Sequence, residues 1–498
     1  MRFLETFGLM AAVISTALVF LKVEYRPRWG HIIPAIALML CACSVMIEGY
    51  RWQMEGAYIV SVLVFVFSAK RLKNLKPDEP VAPVKDRKWL RMSGGIAGLI
   101  ALAYTGLMCF LFPVFELPAP TGEYPIGTAY YSLTDSTRVD SLSDLPDAHR
   151  EISLQVWYPA APEQTGTPVP YMSEEAAAAF GAYLRLPGDD MLSYFSLVST
   201  YSSTEFPLRP TDTAYRVILF SPSGLMNGTT ALSEDLASHG YVVIAVGHPY
   251  WNPFVYDSTG GVVPFDAMNE HYAAMRRELG SGEVESIKDR ILQTDDPAEQ
   301  NELVRQLTDA QPLNTADIKR WADDISFVID WLRPMNSPTG FFAGNLSLDH
   351  IGVMGFSKGG CAAGQVCVQD NRVKAGINFD GFMYGDVVDS PLTVPFLFMH
   401  STPANDGGWI SGGTFANADS TARQIRINGA AHTSFGDACL WGPGLTGAMN
   451  GGSIDGDRMI EITRAYTRAF LDRHLKRLAD SLLDDPSDGY PEVEVRAK

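Results

Sequence analysis

The run from Met92 to Phe115 constrains this chain more than any other segment, because it is apolar, uncharged and long enough to cross a bilayer as one helix. Three more apolar runs precede it. Thr6 to Leu21 and His31 to Ile47 carry no charge and approach spanning length, whereas Gly56 to Ala69 is shorter. Four spans are therefore expected, making residues 1–118 a transmembrane region. A cleaved signal peptide fits the first run poorly, since Arg2 is followed by Glu5 and no small-residue cleavage site ends the run.

Between the third and fourth runs stand Lys70, Arg71, Lys73, Lys76, Lys85, Arg87, Lys88 and Arg91. Short loops this rich in Lys and Arg stay on the cytoplasmic side. The helix starting at Met92 is then expected to run outward, and everything beyond the proline-containing linker Leu117 to Pro125 to lie on the extracytoplasmic side. Charge divides at the same place. Up to residue 118 the chain holds 13 Lys and Arg against 8 Asp and Glu, while the remainder holds 26 against 49. A formal net charge of −18 argues against a nucleic-acid partner, which needs clustered positive charge. The six cysteines suggest neither a disulfide framework nor, lacking metal-ligand spacing with histidine, a zinc site.

Residues 119–498 alternate short apolar runs with helical patterns. The strand candidates are 151–159, 216–222, 241–249, 350–356, 374–380, 395–401 and 423–429, several of them apolar throughout, as buried parallel strands are. Helical patterns follow residue 230, Thr315, Ser357 and Arg458. Thr315 is the expected N-cap of the second, whose Ile318, Ala322, Ile325, Val328, Ile329 and Leu332 share one face. Such alternation implies a mostly parallel α/β sheet flanked by helices. Residues 250–316 exceed an ordinary connection and are expected to form an insertion beside the site, with one charged helical stretch from Glu283 to Leu307.

The stretch "HIGVMGFSKGG" then acquires a meaning. A Gly-x-Ser-x-Gly turn between a buried strand and a helix is where an α/β-hydrolase fold holds its nucleophile, and the crowded turn needs residues without bulk at Gly355 and Gly359. Ser357 is the candidate nucleophile. A serine needs a histidine to take its proton and a carboxylate to orient that histidine, in the chain order serine, acid, histidine. His432, just beyond the last strand candidate, is favoured over His400, which ends one. Among the acids, Asp380 at a strand tip is favoured over Asp406 in a longer loop, and Asp386, Asp389 and Asp437 are expected to be solvated.

Four segments, "FSPSGLMNGTTALSEDLASHGYVVIAV", "GFSKGG", "GINFDGFMYGD" and "INGAAHTSFGD", resemble the platelet-activating factor acetylhydrolase family of α/β-hydrolases over most of residues 120 to 475. The resemblance implies a Ser357, Asp380, His432 triad, with oxyanion donors at the backbone N–H groups of Leu225 and Lys358. Pro222-Ser223-Gly224 stands where relatives often have a His-Gly pair. It further implies an ester hydrolase acting on short-acyl phospholipid or other lipid-like esters without a cofactor or metal. The Lys358 side chain is expected in solvent. Trp251, Phe254, Phe382, Met383 and Trp441 are candidate pocket residues.

Overall fold

The computed structural model describes all residues except 21–30, 74–87, 144, 162–165, 167, 189, 205, 266–268, 403–408 and 485–488. Two compact units emerge. The first comprises Met1–Glu116 together with Asp190–Val198 and Trp441–Leu445; the second comprises the rest.

In the first unit four apolar helices follow one another: α1 (Phe3–Phe20), α2 (Ile32–Cys43), α3 (Glu55–Lys73) and α4 (Lys88–Leu111). Their small core is made of Ala12, Ala37, Met54, Ala57, Val60, Leu102 and Cys109. Large apolar side chains, among them Phe7, Met39, Leu63, Ile100 and Phe110, are exposed. An exterior of this composition is the reverse of what water favours. One charged pair is held inside, Arg51 donating to the Glu5 carboxylate at 2.8 Å with both side chains fully buried. Trp52–Lys70 and Met92–Leu111 are long and apolar enough to cross a membrane, while Phe3–Leu18 and Ile32–Glu48 fall short of that length. The third run, the shortest in the sequence, is thus one of the two longest helices, because regular hydrogen bonding continues past its apolar part to Lys73. Residues 74–87, most of the basic stretch from which an orientation was expected, lie outside the described residues.

The second unit opens with β1 (Ile126–Val139), β2 (His149–Pro159), β3 (Pro168–Pro170), α5 (Glu174–Tyr183), β4 (Ser199–Ser203), β5 (Tyr215–Ser221), α6 (Thr230–Ser238) and β6 (Tyr241–Gly247). The insertion holds β7 (Phe254–Tyr256), β8 (Val262–Pro264), α7 (Glu270–Leu279), α8 (Gly282–Gln293) and α9 (Pro297–Ala310). Then come α10 (Pro312–Met335), β9 (Leu346–Phe356), α11 (Lys358–Gln369), β10 (Val373–Phe379), β11 (Phe396–Ser401), α12 (Gly412–Asn417) and β12 (Arg423–Ile427). The short α13 (Pro443–Ala448), α14 (Gly456–Leu471) and β13 (Val493–Ala497) complete the chain's elements.

Eleven described strands form one sheet in the order β13-β12-β11-β10-β9-β5-β6-β2-β1-β4-β3. From β12 to β6 the neighbours are parallel, and β13, β2 and β3 pair antiparallel with β12, β6 and β4. Side chains alternate across the sheet with a period of two. Val217 and Leu219 of β5 therefore join Ile325, Val328 and Leu332 of α10 on one face, while Ile218 and Phe220 meet Leu232 and Leu236 of α6 and Ile462 of α14 on the other. Burial on both faces explains why these central strands read as continuous apolar runs.

Two details depart from expectation. Thr315 is not the N-cap of α10, because the helix begins three residues earlier with Pro312 in its first turn, where the ring already holds a helical φ and no N–H is wasted. The charged stretch from Glu283 to Leu307 is two helices, broken where the Asp296 side chain accepts from Ala298 N–H and Pro297 starts α9.

A buried ion network fastens the sheet to α10. Arg150 of β2 donates to Asp324 of α10 at 2.8 Å and to Asp140 at 3.2 Å, and Arg138 reaches Asp324 at 2.9 Å. Burial alone would raise the Asp324 pKa, but the Arg150 charge and the hydrogen bonds from His248 and Arg150 hold it well below the ordinary value. Arg150→Met is expected to lower the unfolding free energy by about 3 kcal/mol, the low end for a broken buried pair since Arg138 remains. Urea denaturation measures this; a loss under about 1 kcal/mol would show that the network contributes little.

Candidate active site

Strand β9 runs between β5 and β10 and delivers Ser357 at their carboxyl edge, where the chain turns at once into α11. Ser357 has φ 57° and ψ −121°, a conformation that side chains other than glycine rarely adopt. A Cβ on Gly355 would stand 2.0 Å from the Gly359 carbonyl oxygen, and one on Gly359 would stand 1.9 Å from that of Ser221. Both positions must therefore be glycine for the turn to close. The Ser357 N–H donates to Phe379 O at 2.8 Å, tying the turn to the end of β10.

Asp380 follows β10 directly, also with positive φ, 57°. Its Oδ1 accepts from the Ser401 N–H at 2.7 Å and its Oδ2 lies 2.7 Å from His432 Nδ1. The Ser401 hydroxyl adds a further bond to the same carboxylate. Burial works against the charge of Asp380, but the hydrogen bond and charge of His432 outweigh it, and its pKa is lowered. His432 opens a short 3-10 turn beyond β12, and its Nε2 lies 2.9 Å from Ser357 Oγ. An ionised Asp380 requires the proton on Nδ1, which leaves Nε2 as an acceptor facing the serine hydroxyl. This arrangement is able to take a proton from Ser357 without moving a heavy atom.

The other sequence candidates sit elsewhere. His400 is buried on β11, its Nδ1 3.9 Å from Asp380, and neither of its ring nitrogens has a hydrogen-bond partner among the described residues. Burial lowers its pKa to about 4. Asp406 lies outside the described residues. Asp386 and Asp389 pair with Lys319 and Arg305 at the surface. Asp437, expected in solvent, is fully buried, and its carboxyl oxygens accept the N–H groups of Thr230 and Ala231 at the start of α6, while burial raises its pKa to about 8. Phe254 and Met383 are core residues, 1% exposed each, rather than pocket walls. Phe382 packs against the core, and Trp441 belongs to the first unit.

Leu225 lies in the loop after β5, and Lys358 is the first residue of α11, whose opening N–H groups have no partner within the helix. The Lys358 side chain is not in solvent as expected. It is buried, donates to Asp317 of α10 at 2.9 Å, and places its ammonium 4.3 and 4.7 Å from the ring centroids of Trp251 and Trp321. Burial lowers its pKa to about 8, against the pull of Asp317. The spacing of Asp317 and Trp321, one turn apart on α10, was the available signal for this cage. Asp317 also meets His271 of α7 at 3.0 Å, so the insertion reaches the residue beside Ser357.

A second serine, histidine, aspartate chain escaped sequence reasoning altogether. Ser221 Oγ lies 2.8 Å from His248 Nε2, and His248 Nδ1 lies 3.3 Å from Asp324. All three are buried, and His248 stacks on Trp321 with centroids 4.0 Å apart and planes 2° apart. Burial takes the His248 pKa down to about 4, against Asp324, so the ring is neutral near pH 7. Ser221 stands in the sheet opposite Gly355, and its carbonyl oxygen fills the space a Cβ on Gly359 would need. This chain therefore lies under the Ser357 turn.

A family model described as platelet-activating factor acetylhydrolase, isoform II, matches residues 111–486. A probable 1-alkyl-2-acetylglycerophosphocholine esterase of Arthroderma benhamiae is 25% identical over 419 residues, 76% of this chain and 93% of the relative. The platelet-activating factor acetylhydrolase of Canis lupus familiaris is 25% identical over 458 residues, 88% of this chain and 87% of the relative. Among solved structures, a ferulic acid esterase from Streptomyces cinnamoneus superposes with a TM-score of 0.58 and 25% identity, covering 76% of this chain and 99% of that one.

Proposed function

Because the chain belongs to the platelet-activating factor acetylhydrolase, isoform II, family and is a carboxylic ester hydrolase, we propose that it works through a Ser357 acyl-enzyme on an α/β-hydrolase fold. The observation that carries this reading is the unbroken path from Ser357 Oγ through His432 to Asp380, with links of 2.9 and 2.7 Å, ending at a strained serine.

Ser357 Oγ attacks the ester carbonyl as its proton passes to His432 Nε2. Asp380 stays ionised, holds the Nδ1 tautomer and stabilises the imidazolium. The carbonyl oxygen takes the negative charge and is met by the N–H groups of Leu225 and Lys358. Collapse expels the alcohol, which takes the proton from His432. Water then repeats the sequence on the acyl-enzyme, releasing the carboxylic acid and restoring Ser357.

The substrate proposed is a short-acyl phospholipid or similar lipid ester. Its support is the relatives' names together with the apolar exterior of residues 1–118, read as a membrane region of about four helices that precedes in sequence a catalytic domain, 119–498, on the extracytoplasmic side. The likeness to the ferulic acid esterase favours one other reading, a general carboxylesterase. Full-length protein in mixed micelles decides between them. A 1-alkyl-2-acetyl glycerophosphocholine is expected to give kcat/KM at least about 10-fold above methyl ferulate. The reverse order would replace the lipid-ester reading with the broader one.

A further inference from the structure

The segment Pro222-Ser223-Gly224 that leads to Leu225 lies beyond the end of β5 at Ser221, and no strand holds it. Something else must fix the direction of its N–H groups, because an oxyanion donor works only if aimed before the charge appears.

The turn after β6 supplies that restraint. His248, Pro249, Tyr250, Trp251 and Asn252 form a tight reversal in which Tyr250 has φ 70° and His248 O accepts from the N–H groups of both Trp251 and Asn252. A non-glycine residue held in that region costs free energy and persists only where its surroundings require it. The reversal delivers two side chains to the loop. Trp251 Nε1 donates to Ser223 O at 2.9 Å, and Asn252 Nδ2 donates to Gly224 O. Asn252 is itself fixed, since its Oδ1 accepts the His248 N–H at 2.5 Å and its side chain is buried.

The Gly224 carbonyl and the Leu225 N–H belong to one peptide unit. In a planar trans peptide they point in opposite directions. Holding the oxygen on Asn252 therefore aims the Leu225 hydrogen away from Asn252. The α-carbon of Gly224 faces open space, with nothing within 4 Å of where a Cβ would stand, so this loop borders accessible volume. Trp251 meanwhile lays its ring face on the Lys358 ammonium at 4.3 Å, which ties the loop to the residue bearing the other N–H.

We propose that Asn252 is a positioning residue for ester hydrolysis: its amide locks the Gly224–Leu225 peptide so that the Leu225 N–H is preset toward the developing oxyanion. This rests on the Ser357 reading above. It adds a residue that touches neither substrate nor nucleophile.

Asn252→Asp tests it with almost no change of shape. The carboxylate still accepts the His248 N–H but sets an oxygen against the Gly224 carbonyl. The variant is expected to lose about 10- to 100-fold in kcat with KM within about 2-fold. A trifluoromethyl ketone, which binds as a hemiketal oxyanion on the serine, is expected to weaken by the same factor. An unreactive ether analogue, which makes no oxyanion, is expected to bind as before. Should the aspartate variant fail to fold, Asn252→Ser removes the reach to Gly224 O with less charge. Unchanged kcat, or equal losses for the ketone and the ether, would overturn the proposal. Ser357→Ala run in parallel separates the two levels: activity surviving there defeats the Ser357 reading, whereas an inactive Ser357→Ala beside an unimpaired Asn252→Asp defeats only the positioning role.

Discussion

Ser357→Ala is expected to lower kcat for any ester by roughly 10⁴- to 10⁶-fold while leaving the fold and substrate binding nearly intact. The size follows from what is removed. Without the hydroxyl there is no acyl-enzyme, and only the preset N–H donors and substrate binding remain to assist water. The small methyl group fits easily, since φ 57° at this position is already tolerated with a Cβ present. Labelling of the full-length protein by a fluorophosphonate, located by mass spectrometry, gives an independent reading. The adduct is expected on Ser357 and is expected to vanish in His432→Ala. A label elsewhere, or kcat within about 10-fold of the parent for Ser357→Ala, would remove Ser357 from the mechanism.

Asp380→Asn is expected to cost about 10⁴-fold in kcat, through a proton in the wrong place. Oδ1 of Asp380 accepts two hydrogens from Ser401, its backbone N–H and its hydroxyl. An asparagine would keep its oxygen there, because only oxygen accepts, and would turn its amide toward His432. The amide donates, so His432 Nδ1 must accept, and the ring proton moves to Nε2. Nε2 then faces Ser357 as a donor and no longer takes its proton. The loss is expected to shrink as pH rises and hydroxide replaces the missing base, whereas the parent enzyme shows no such recovery. A pH-independent loss below about 10-fold would show that Asp380 does not set the tautomer.

The parallel centre of the sheet was legible because burial on both faces leaves a continuous apolar signature in β5, β6, β9, β10 and β11. The edges were not. β1 is exposed at Ser132, Thr134, Ser136 and Thr137, so its second half carries few apolar side chains, and β13 is defined by its pairing with β12 rather than by its own composition. Thr315 misled because a threonine before a periodic segment resembles a cap, while Pro312 three residues earlier starts the helix by its fixed φ. For the site, chain order and strand ends favoured Asp380 over Asp406 and His432 over His400 as partners of Ser357, and in the structure His432 lies within hydrogen-bonding reach of both Ser357 and Asp380. Lys358, Trp251, Asn252 and His248 are brought to the site's surroundings by contacts between residues far apart in the chain. Nothing local to "GHPYWN" or "FSKGG" reports that an indole from one covers the ammonium of the other.

The described residues include two serine, histidine, aspartate chains of nearly equal length, Ser357 with His432 and Asp380, and Ser221 with His248 and Asp324. A search that matched three side chains by distance alone would return both. Only one is wet: His432 is half exposed, whereas every member of the other chain is sealed. Only one serine is strained, since Ser221 continues a regular strand. One molecule thus separates hydrogen-bond geometry from presentation: the geometry is common to both chains, while exposure to solvent and a backbone bent at the serine belong to one.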